Sequence, residues 1–200
     1  TMDFKRVHEW CNLVKHFFTK KDITIRITTR SNLLNQDLCY KLKECGVDII
    51  SIGLESGSPK VLKAMRKLET LEVQEQGVTM CHTAGIKVKG FFIFGNPSET
   101  WEDVMLTIEF AERLVQEGKL QYADAYICNP VPASPFWRNP EEFDVQPIKP
   151  VDSNWENYYQ VGSGGHVKIN IKHPYLTEED LNKAVKLFHE RTKVPGLTYE

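Results

Sequence analysis

The sequence predicts an α/β fold in which about four parallel strands form part of a βα barrel, followed by a helical extension at the carboxyl end. Two observations support this prediction. A continuous apolar run at 88–94 ends in a Gly-Asn-Pro-Ser turn, and its apolar residues fall on both parities, as in a parallel strand covered on both faces. A strand, a polar turn and a glycine-terminated helix then recur along the chain, which is typical of repeated βα units with right-handed crossovers.

An amino-terminal helix at 3–20, whose apolar face includes Phe18, precedes the repeated units. Short runs rich in β-branched and aromatic residues predict the strands. Apolar periodicity predicts the helices, and residues such as Ser58, Thr70 and Thr100 mark where helices begin. The predicted strands are 24–29, 48–54, 88–94 and 123–128. The predicted helices between them are 36–45, 59–66, 71–84 and 101–117.

The composition changes after residue 137, and we place a boundary there. Residues 1–137 are predicted to form the partial barrel, and residues 138–200 an irregular covering segment with a last helix. Prolines interrupt regular structure in the first part of this segment. They are Pro140, Pro147 and Pro150. Alternating apolar residues at 167–172 predict a short edge strand or an extended arm.

Helical spacing also predicts which helix faces are buried. Thr177 and Asp180 form a capping box that opens the last helix. The face predicted to be buried in this last helix is Leu181, Val185 and Phe188, with Leu187 as a further candidate. The stripe predicted for the helix at 71–84 is Val73, Gly77, Met80 and Ala84.

The overall composition excludes several classes of protein. A chain of 200 residues with 41% hydrophobic and 26% charged residues is long enough to bury its own core. A formal net charge of −2 gives no overall basic footprint for nucleic acid. The sequence has no apolar run of membrane-spanning length and no signal-peptide pattern near Thr1. We therefore expect a cytoplasmic protein without nucleic-acid or membrane partners.

The cysteines are scattered through the periodic segments. There are five of them, none forms a Cys-x-x-Cys pair, and the odd count argues against a disulfide framework. The same spacing argues against a metal site built from close thiolates, so we predict no metal site within this chain. Most of the cysteines are expected to be small buried apolar residues.

Polar residues follow each predicted strand. In a βα barrel the carboxyl ends of the strands form the rim at which ligands bind. Gly95 leaves room for a ligand to approach the backbone closely, and the helix capped by Thr100 offers free amides beside the rim. The sequence therefore predicts a site for a polar ligand at this rim. The polar residues concerned are Arg30, Glu55, Asn96, Glu99 and Asn129.

Three segments at these strand ends resemble the radical S-adenosylmethionine (radical SAM) superfamily, and specifically the branch whose members often carry an upstream cobalamin-binding domain. IGLESGS at 52–58 resembles the ribose-side loop of the family, FIFGNPSET at 92–100 its adenine-side strand, and PVPASP at 130–135 the turn after its sixth strand. The resemblance covers residues 3–137. It implies that the predicted strands correspond to strands three to six of a six-stranded, TIM-type barrel.

The resemblance implies that the rim binds S-adenosylmethionine. Glu55 would hydrogen-bond the ribose or methionyl end, while Gly95 and Glu99 would frame the adenine through backbone approach and a structural hydrogen bond. Arg66 and Lys67 stand where the family often has a basic residue for the cofactor carboxylate. Each of these residues also has an ordinary structural explanation, such as a carboxylate near a helix start. Further candidate contacts on the rim are Thr28, Arg30 and Asn129.

The sequence departs from the family pattern in several places. Ser98 stands where a glycine is common, and Ala133-Ser134 stand where Gly-Thr is usual. The Cys-x-x-x-Cys-x-x-Cys loop that holds the iron–sulfur cluster is missing, as is the acidic or glycine-rich stretch that binds the methionine amine. The resemblance therefore implies that an absent N-terminal part of the same protein holds the cluster, and that this chain alone is inactive. Any cobalamin would be bound by another absent domain.

We interpret the chain as the carboxyl-terminal part of a radical SAM enzyme that performs methyl transfer, oxidative cyclisation or a related conversion of a small molecule. Its partner would be the missing N-terminal half. The alternative is a non-catalytic scaffold or remnant that keeps the fold without the cofactor. A conventional barrel aldolase or lyase is a weaker hypothesis, because the predicted strands place neither a buried lysine nor a set of metal ligands on the rim. Because strand 24–29 would have an unpaired edge, we also expect the isolated chain to self-associate.

Overall fold

A computed structural model describes residues 4–17, 23–148 and 169–193. Phe18, Val167 and Lys168, which belong to predicted elements, lie outside these residues. In chain order the elements are α1 Phe4–Phe17, β1 Ile25–Thr29, α2 Gln36–Glu44, β2 Val47–Glu55, α3 Pro59–Ala64, α4 Leu71–Thr83, β3 Lys87–Phe94, α5 Trp101–Gln116, β4 Tyr122–Ile127, α6 Pro135–Arg138, β5 Gln146–Pro147, β6 Ile171–Lys172 and α7 Glu178–Arg191.

The first four strands form one parallel sheet in the order β1-β2-β3-β4. One row across it runs from Thr28 through Ser51 and Lys89 to Tyr122. The predicted α/β fold with four parallel strands is therefore confirmed. Because every strand points the same way, all four carboxyl ends lie at one edge of the sheet, which we call the rim.

The two faces of the sheet differ in burial. Phe92 and Phe94 of β3 are fully buried, and their rings lie 5.0 and 5.8 Å from that of Phe188 in α7. Lys89 and Phe91, which alternate with the buried residues along β3, are only partly buried and point to the opposite side. We call the face that carries Phe92 and Phe94 the outer face, and the face that carries Lys89 and Phe91 the inner face. Described residues of the inner face include Arg26, Thr28, Ile49, Ser51, Gly53, Lys87, Lys89, Phe91, Ile93, Tyr122, Asp124 and Tyr126.

Side-chain caps set where the helices begin, as the sequence predicts. Ser58 accepts a hydrogen bond from the Val61 amide at the start of α3, and Thr70 accepts one from Val73 at the start of α4. Capping boxes open α5 and α7. α3 is shorter than predicted because Arg66 adopts a left-handed backbone conformation, with φ 58°.

The buried stripe of α4 was predicted in part. Gly77 and Ala84 are buried as predicted, whereas Val73 is half-buried and Met80 is half-buried against the core. At Gly77 a Cβ would lie 2.8 Å from the Cβ of Ser31, so this side of the helix packs closely. The buried residues of the helix itself are Gln74, Gly77, Val78 and Cys81.

In α7, Leu181 and Phe188 are buried as predicted, and Ala184 is buried as well. Val185 and Leu187 are half-buried and pack against the core.

The carboxyl-terminal elements share the core of the sheet. β5 and β6 pair antiparallel, so the strand predicted at 167–172 is present in the described residues as Ile171–Lys172. Phe143, Val145 and Leu176 are buried, and the latter two join the same hydrophobic cluster as the sheet residues. Within the described ranges, no helix is both long and apolar enough to cross a membrane.

Candidate functional site

The rim brings together the ends of adjacent strands. Glu55 is the last residue of β2 and pairs with Phe92 of β3. On the other side of β3, the amide of Cys128, the residue after β4, donates to the carbonyl of Phe94, the last residue of β3, at 2.7 Å. The sheet therefore places Glu55, Gly95 and Asn129 after three neighbouring strands at one edge.

Glu55 has an unusual backbone conformation that turns its side chain back over the sheet. Its φ is 67°, and the pairing of β2 with β3 shifts register between Gly53 and Glu55. A Cβ added to Gly53 would lie 2.2 Å from Glu55 Oε1, so the carboxylate occupies the space beside this glycine. Gly53 is an inner-face residue. The missing side chain of Gly53 therefore allows the Glu55 carboxylate to lie against the inner face.

A compact cluster of charges surrounds this carboxylate. Lys67 Nζ lies 3.3 Å from Glu55 Oε1, donates to the Gly53 carbonyl, and lies 3.7 Å from Glu69 Oε2. Glu69 Oε1 in turn accepts from Arg30 Nε at 3.3 Å. We call Arg30, Glu55, Lys67 and Glu69 the rim charge cluster. Its two positive and two negative charges balance, which buried ionic groups require.

Glu69 is the member of this cluster that sequence reasoning missed. Its side chain is completely buried, and Oε1 also accepts from the Asn32 amide at 3.3 Å. In the sequence Glu69 directly precedes the cap residue Thr70, where an acidic side chain is ordinary. The one signal for a different role is its position two residues after Lys67.

Arg66 and Thr28 lie outside the rim charge cluster. Arg66 donates to Glu142 at 2.6 Å, and its guanidinium lies 4.8 Å from the centre of the Phe143 ring. The structure thus separates Arg66 from Lys67, although the two are adjacent in sequence. Thr28 is exposed on the inner face of β1, opposite Ser51.

Glu99 organises the turn that follows β3. Its carboxylate accepts hydrogen bonds from the amides of Gly95 at 2.5 Å and Asn96 at 3.1 Å, and the residue is fully buried. Burial raises the pKa of Glu99 to about 8, although these two amide hydrogen bonds act in the opposite direction. Gly95 has φ 81°, and a Cβ there would lie 2.9 Å from Ile171 Cδ1. On that side, the group approaching Gly95 belongs to this chain itself.

Two buried acceptor oxygens at the rim have no hydrogen-bond partner among the described residues. They are Asn129 Oδ1 and Glu69 Oε2, and the latter lies 3.7 Å from Lys67 Nζ. The other buried oxygens without a partner among the described residues are Ser31 Oγ, Gln74 Oε1 and Glu99 Oε1, and a pKa of about 8 keeps the Glu99 carboxyl protonated near neutral pH. Buried acceptors without a donor cost free energy, so such atoms commonly mark a ligand or water position. S-adenosylmethionine carries an ammonium group, ribose hydroxyls and an adenine amine, all of which are donors. The acceptors at the rim therefore fit this cofactor chemically.

The inner face below the rim carries a second polar group of residues. Lys89 Nζ lies 2.5 Å from Asp124 Oδ2 and 5.2 Å from the centre of the Phe91 ring. The Tyr126 hydroxyl donates to the same carboxylate at 3.4 Å, and the rings of Phe91 and Tyr126 are 5.9 Å apart. This face therefore offers aromatic surface and one ion pair next to Gly53 and the rim charge cluster.

The carboxyl-terminal segment packs against the turn after β3. Asp144 accepts from the Ser98 amide at 2.7 Å and from its hydroxyl at 3.0 Å. The His173 ring lies in hydrogen-bond contact with the Asn96 carbonyl at 2.8 Å. Asp144 and His173 therefore tie the described part of this segment to the turn after β3.

The cysteines do not fit an iron–sulfur cluster. All five are buried, in α1, α2, the end of α2, α4 and the position after β4. Cluster ligation requires three thiolates directed at one point. Burial raises the pKa values of Cys45 and Cys128 to about 12, which keeps these thiols protonated. Among the described residues, no group of three or more His, Cys, Asp or Glu could hold a metal ion.

Comparison with known proteins identifies relatives of this chain. An uncharacterized methyltransferase of Pyrococcus horikoshii is 29% identical over 86% of this chain. A bacteriochlorophyllide d C-12(1)-methyltransferase of Chlorobaculum tepidum is 28% identical over 46% of the chain. The chain spans 36% of the first relative's length and 20% of the second's.

Solved structures share the fold at low sequence identity. Coproporphyrinogen III oxidase of Escherichia coli matches 96% of this chain and 38% of its own, with a TM-score of 0.64 and 13% identity. The methyltransferase TsrM of Kitasatospora setae, solved with cobalamin and a [4Fe-4S] cluster, matches 62% of this chain and 23% of its own, with a TM-score of 0.50 and 15% identity. The model of the Radical SAM superfamily matches residues 1–111, more than half of the sequence. The chain therefore belongs to the radical SAM superfamily.

Proposed function

We propose that this chain forms the adenosyl-binding side of a radical SAM methyltransferase. Membership of the superfamily implies S-adenosylmethionine and an iron–sulfur cluster. Relatives named as methyltransferases support methyl transfer over oxidative cyclisation, and one of them aligns over 86% of the chain. The substrate would be a small molecule bound against the inner face.

The observation that carries this proposal is the position of the Glu55 carboxylate. Glu55 ends β2, lies against the inner face beside Gly53, and is held there by Lys67 at 3.3 Å. A carboxylate fixed in this way can accept hydrogen bonds from ribose hydroxyls or from the ammonium group of S-adenosylmethionine. Asn129 Oδ1 offers a further acceptor. Glu99 and Gly95 hold the neighbouring turn in a fixed conformation for the adenine.

The chemistry itself requires groups that this sequence does not contain. S-adenosylmethionine next to a reduced iron–sulfur cluster supplies radical chemistry through cleavage of its carbon–sulfur bond. We propose that the three cluster thiolates come from an N-terminal part of the same protein, so that this chain alone is inactive. Cobalamin, if the parent uses it, would be bound by a further domain.

The proposal is tested by cofactor binding to the full-length protein that carries this sequence, purified and reconstituted with iron and sulfide under anaerobic conditions. Calorimetric titration with S-adenosylmethionine is expected to show saturable binding. Glu55→Gln removes the charge from one hydrogen-bonded contact and is expected to weaken binding about tenfold or more. Glu109→Gln, an exposed carboxylate on α5, is the matched control.

Two outcomes contradict the proposal in different ways. A cluster-free protein that does not bind S-adenosylmethionine would support the non-catalytic scaffold. Binding by Glu55→Gln that equals binding by Glu109→Gln would remove Glu55 from the site.

A further inference from the structure

A buried polar network joins the two loops of the candidate site to one helix. The β2–α3 loop comprises residues 56–58, and the β3–α5 loop comprises residues 95–100. Both loops contact the first turns of α5, which begins directly after the second loop. Ser56, Ser58, Asp103 and Thr107 of this network are all buried. Buried polar groups need complete hydrogen bonding, so their geometry is closely specified.

Asp103 uses a different carboxylate oxygen for each loop. Its Oδ1 accepts from the Ser58 hydroxyl at 2.7 Å. Its Oδ2 accepts from the Thr100 amide at 2.9 Å and from the Thr100 hydroxyl at 2.8 Å. Lys60 Nζ, on α3, lies 2.5 Å from the same oxygen. One side chain therefore connects the β2–α3 loop, the β3–α5 loop and α3.

Thr107 makes a second connection one turn further along α5. Its hydroxyl donates to the Asp103 carbonyl at 3.0 Å, so the single proton of this hydroxyl is already used. The Gly57 amide at 3.0 Å and the Ser56 hydroxyl at 2.9 Å must then both donate to Thr107 Oγ1. Ser56 Oγ in turn accepts from the Ser58 amide at 3.1 Å. In these hydrogen bonds the groups of the β2–α3 loop donate, and Thr107 Oγ1 on α5 accepts.

Gly57 allows this close docking. A Cβ at Gly57 would lie 2.5 Å from the Leu106 carbonyl oxygen and 2.8 Å from Thr107 Cα. The backbone of the loop thus lies directly against the backbone of α5. No side chain separates them, and the hydrogen bonds of Asp103 and Thr107 set their spacing.

Helix capping alone does not account for Asp103. The capping box of α7 has the same geometry, with Asp180 Oδ2 accepting from the Thr177 amide at 2.9 Å and from its hydroxyl at 2.7 Å. Asp103 has in addition the bonds to Ser58 and Lys60, both of which come from the β2–α3 side of the site. Asp180 is therefore a natural internal comparison for the capping function.

We propose that Asp103 is a positioning residue that fixes the distance between the β2–α3 loop and the β3–α5 loop, so that both can contact S-adenosylmethionine at once. The inference rests on the proposed function, in which Glu55 precedes the first loop and Gly95 begins the second. Asp103 acts through these loops and makes no contact with the cofactor itself. Its removal allows the loops to separate while the cluster remains bound elsewhere in the protein.

The test compares Asp103→Asn with Asp180→Asn in the full-length, anaerobically reconstituted protein. Both changes weaken a capping box, and Asp103→Asn also disturbs the buried bonds to Ser58 and Lys60, so it is expected to lower the melting temperature more than Asp180→Asn. The dissociation constant for S-adenosylmethionine is expected to rise at least tenfold in Asp103→Asn and less than twofold in Asp180→Asn, at equal iron content. A tenfold change in the dissociation constant corresponds to about 1.4 kcal/mol, which is about the net contribution of one hydrogen bond.

A second variant keeps the proposal testable if Asp103→Asn does not fold. Ser58→Gly retains an acceptable N-cap residue for α3 but removes the hydroxyl that contacts Asp103. Ser58→Gly by itself is expected to raise the dissociation constant for S-adenosylmethionine. Where Asp103→Asn folds, a double-mutant cycle is expected to show coupling between the two changes, because both disturb the contact between Ser58 and Asp103. Additive effects, or unchanged affinity in both single variants, would show that Asp103 only caps α5. Absence of binding by the unmodified protein would instead overturn the proposed function, and this inference with it.

Discussion

Glu99 is a buried acid whose contribution to stability depends on pH in a direction that is uncommon for a carboxyl group. Burial raises its pKa from the ordinary value near 4.5 to about 8. A carboxyl group with a higher pKa in the folded state stabilises the protein fully below the unfolded pKa. That contribution is lost as the pH rises towards the folded pKa. Between about pH 4.5 and pH 8 the Glu99 contribution to stability therefore falls.

We predict that Glu99→Gln changes the pH dependence of unfolding. Glutamine keeps an oxygen acceptor for the amides of Gly95 and Asn96 but does not ionise. The melting temperature of the unmodified chain should fall between pH 5 and pH 8 relative to that of the variant, measured by circular dichroism. Parallel profiles for the two proteins would show that Glu99 does not titrate in this range.

At the level of single residues, part of the site could be predicted from the sequence. Arg30, Glu55 and Lys67 were predicted separately, and the structure brings them together with Glu69. Glu69 could not be predicted, because its burial depends on how the segment before α4 packs against Arg30. Arg66 was grouped with Lys67, but its left-handed backbone directs it towards Glu142.

Two departures from the family pattern acquire a physical meaning in the structure. Ser98 and Ala133 have φ values of 61° and 70°, in the left-handed region that favours glycine. These are positions at which the resemblance indicated a common glycine. Residues other than glycine are strained in this backbone conformation by about 1 kcal/mol each. At Ser98 the two hydrogen bonds to Asp144 offset part of this cost.

At the level of elements, the helix starts were the most predictable features. Ser58, Thr70, Thr100 and Thr177 all cap helices, because a short side-chain oxygen before a helix has few other roles. The buried face of α4 was less predictable. Its buried polar residue, Gln74, donates to the Leu54 carbonyl at 2.8 Å, a tertiary contact that hydrophobic periodicity does not report.

We predict that the aromatic side chain of Phe188 makes a large contribution to the attachment of α7 to the sheet, beside the buried residues Leu181 and Ala184. Phe188 is fully buried and its ring contacts those of Phe92 and Phe94. Phe188→Ala is expected to lower the free energy of unfolding by about 3–5 kcal/mol, since a buried phenylalanine leaves a cavity. Urea denaturation provides the measurement, with Lys186→Ala on the exposed side of α7 as the control. Equal stability of the two variants would mean that α7 is not docked in solution.

At the level of the whole molecule, both edges of the four-stranded sheet lack a partner among the described strands. β1 pairs with β2, and no described strand pairs with its other edge. Leu13 and Phe17 of α1 are 57% and 70% exposed, and Tyr126 on the inner face is 46% exposed. Unpaired strand edges and exposed apolar side chains each favour association with another chain.

We therefore predict that the isolated 200-residue chain self-associates. Light scattering should give an average mass that increases with protein concentration. Leu13→Lys combined with Phe17→Lys should reduce this increase by placing charges on the exposed side of α1. Tyr175→Lys, at an exposed position in the carboxyl-terminal segment, is the control. A monomer at all concentrations would contradict the prediction.

The sequential order of the strands has a consequence for synthesis on the ribosome. β1 to β4 pair in the order in which they are made, so the sheet can grow as each unit emerges. Phe188, which covers Phe92 and Phe94, is made about 90 residues later than those rings, which corresponds to about 5–20 s of translation. During that interval the growing chain displays two bare aromatic rings. We expect chaperones that bind nascent polypeptides to contact these two rings during that interval.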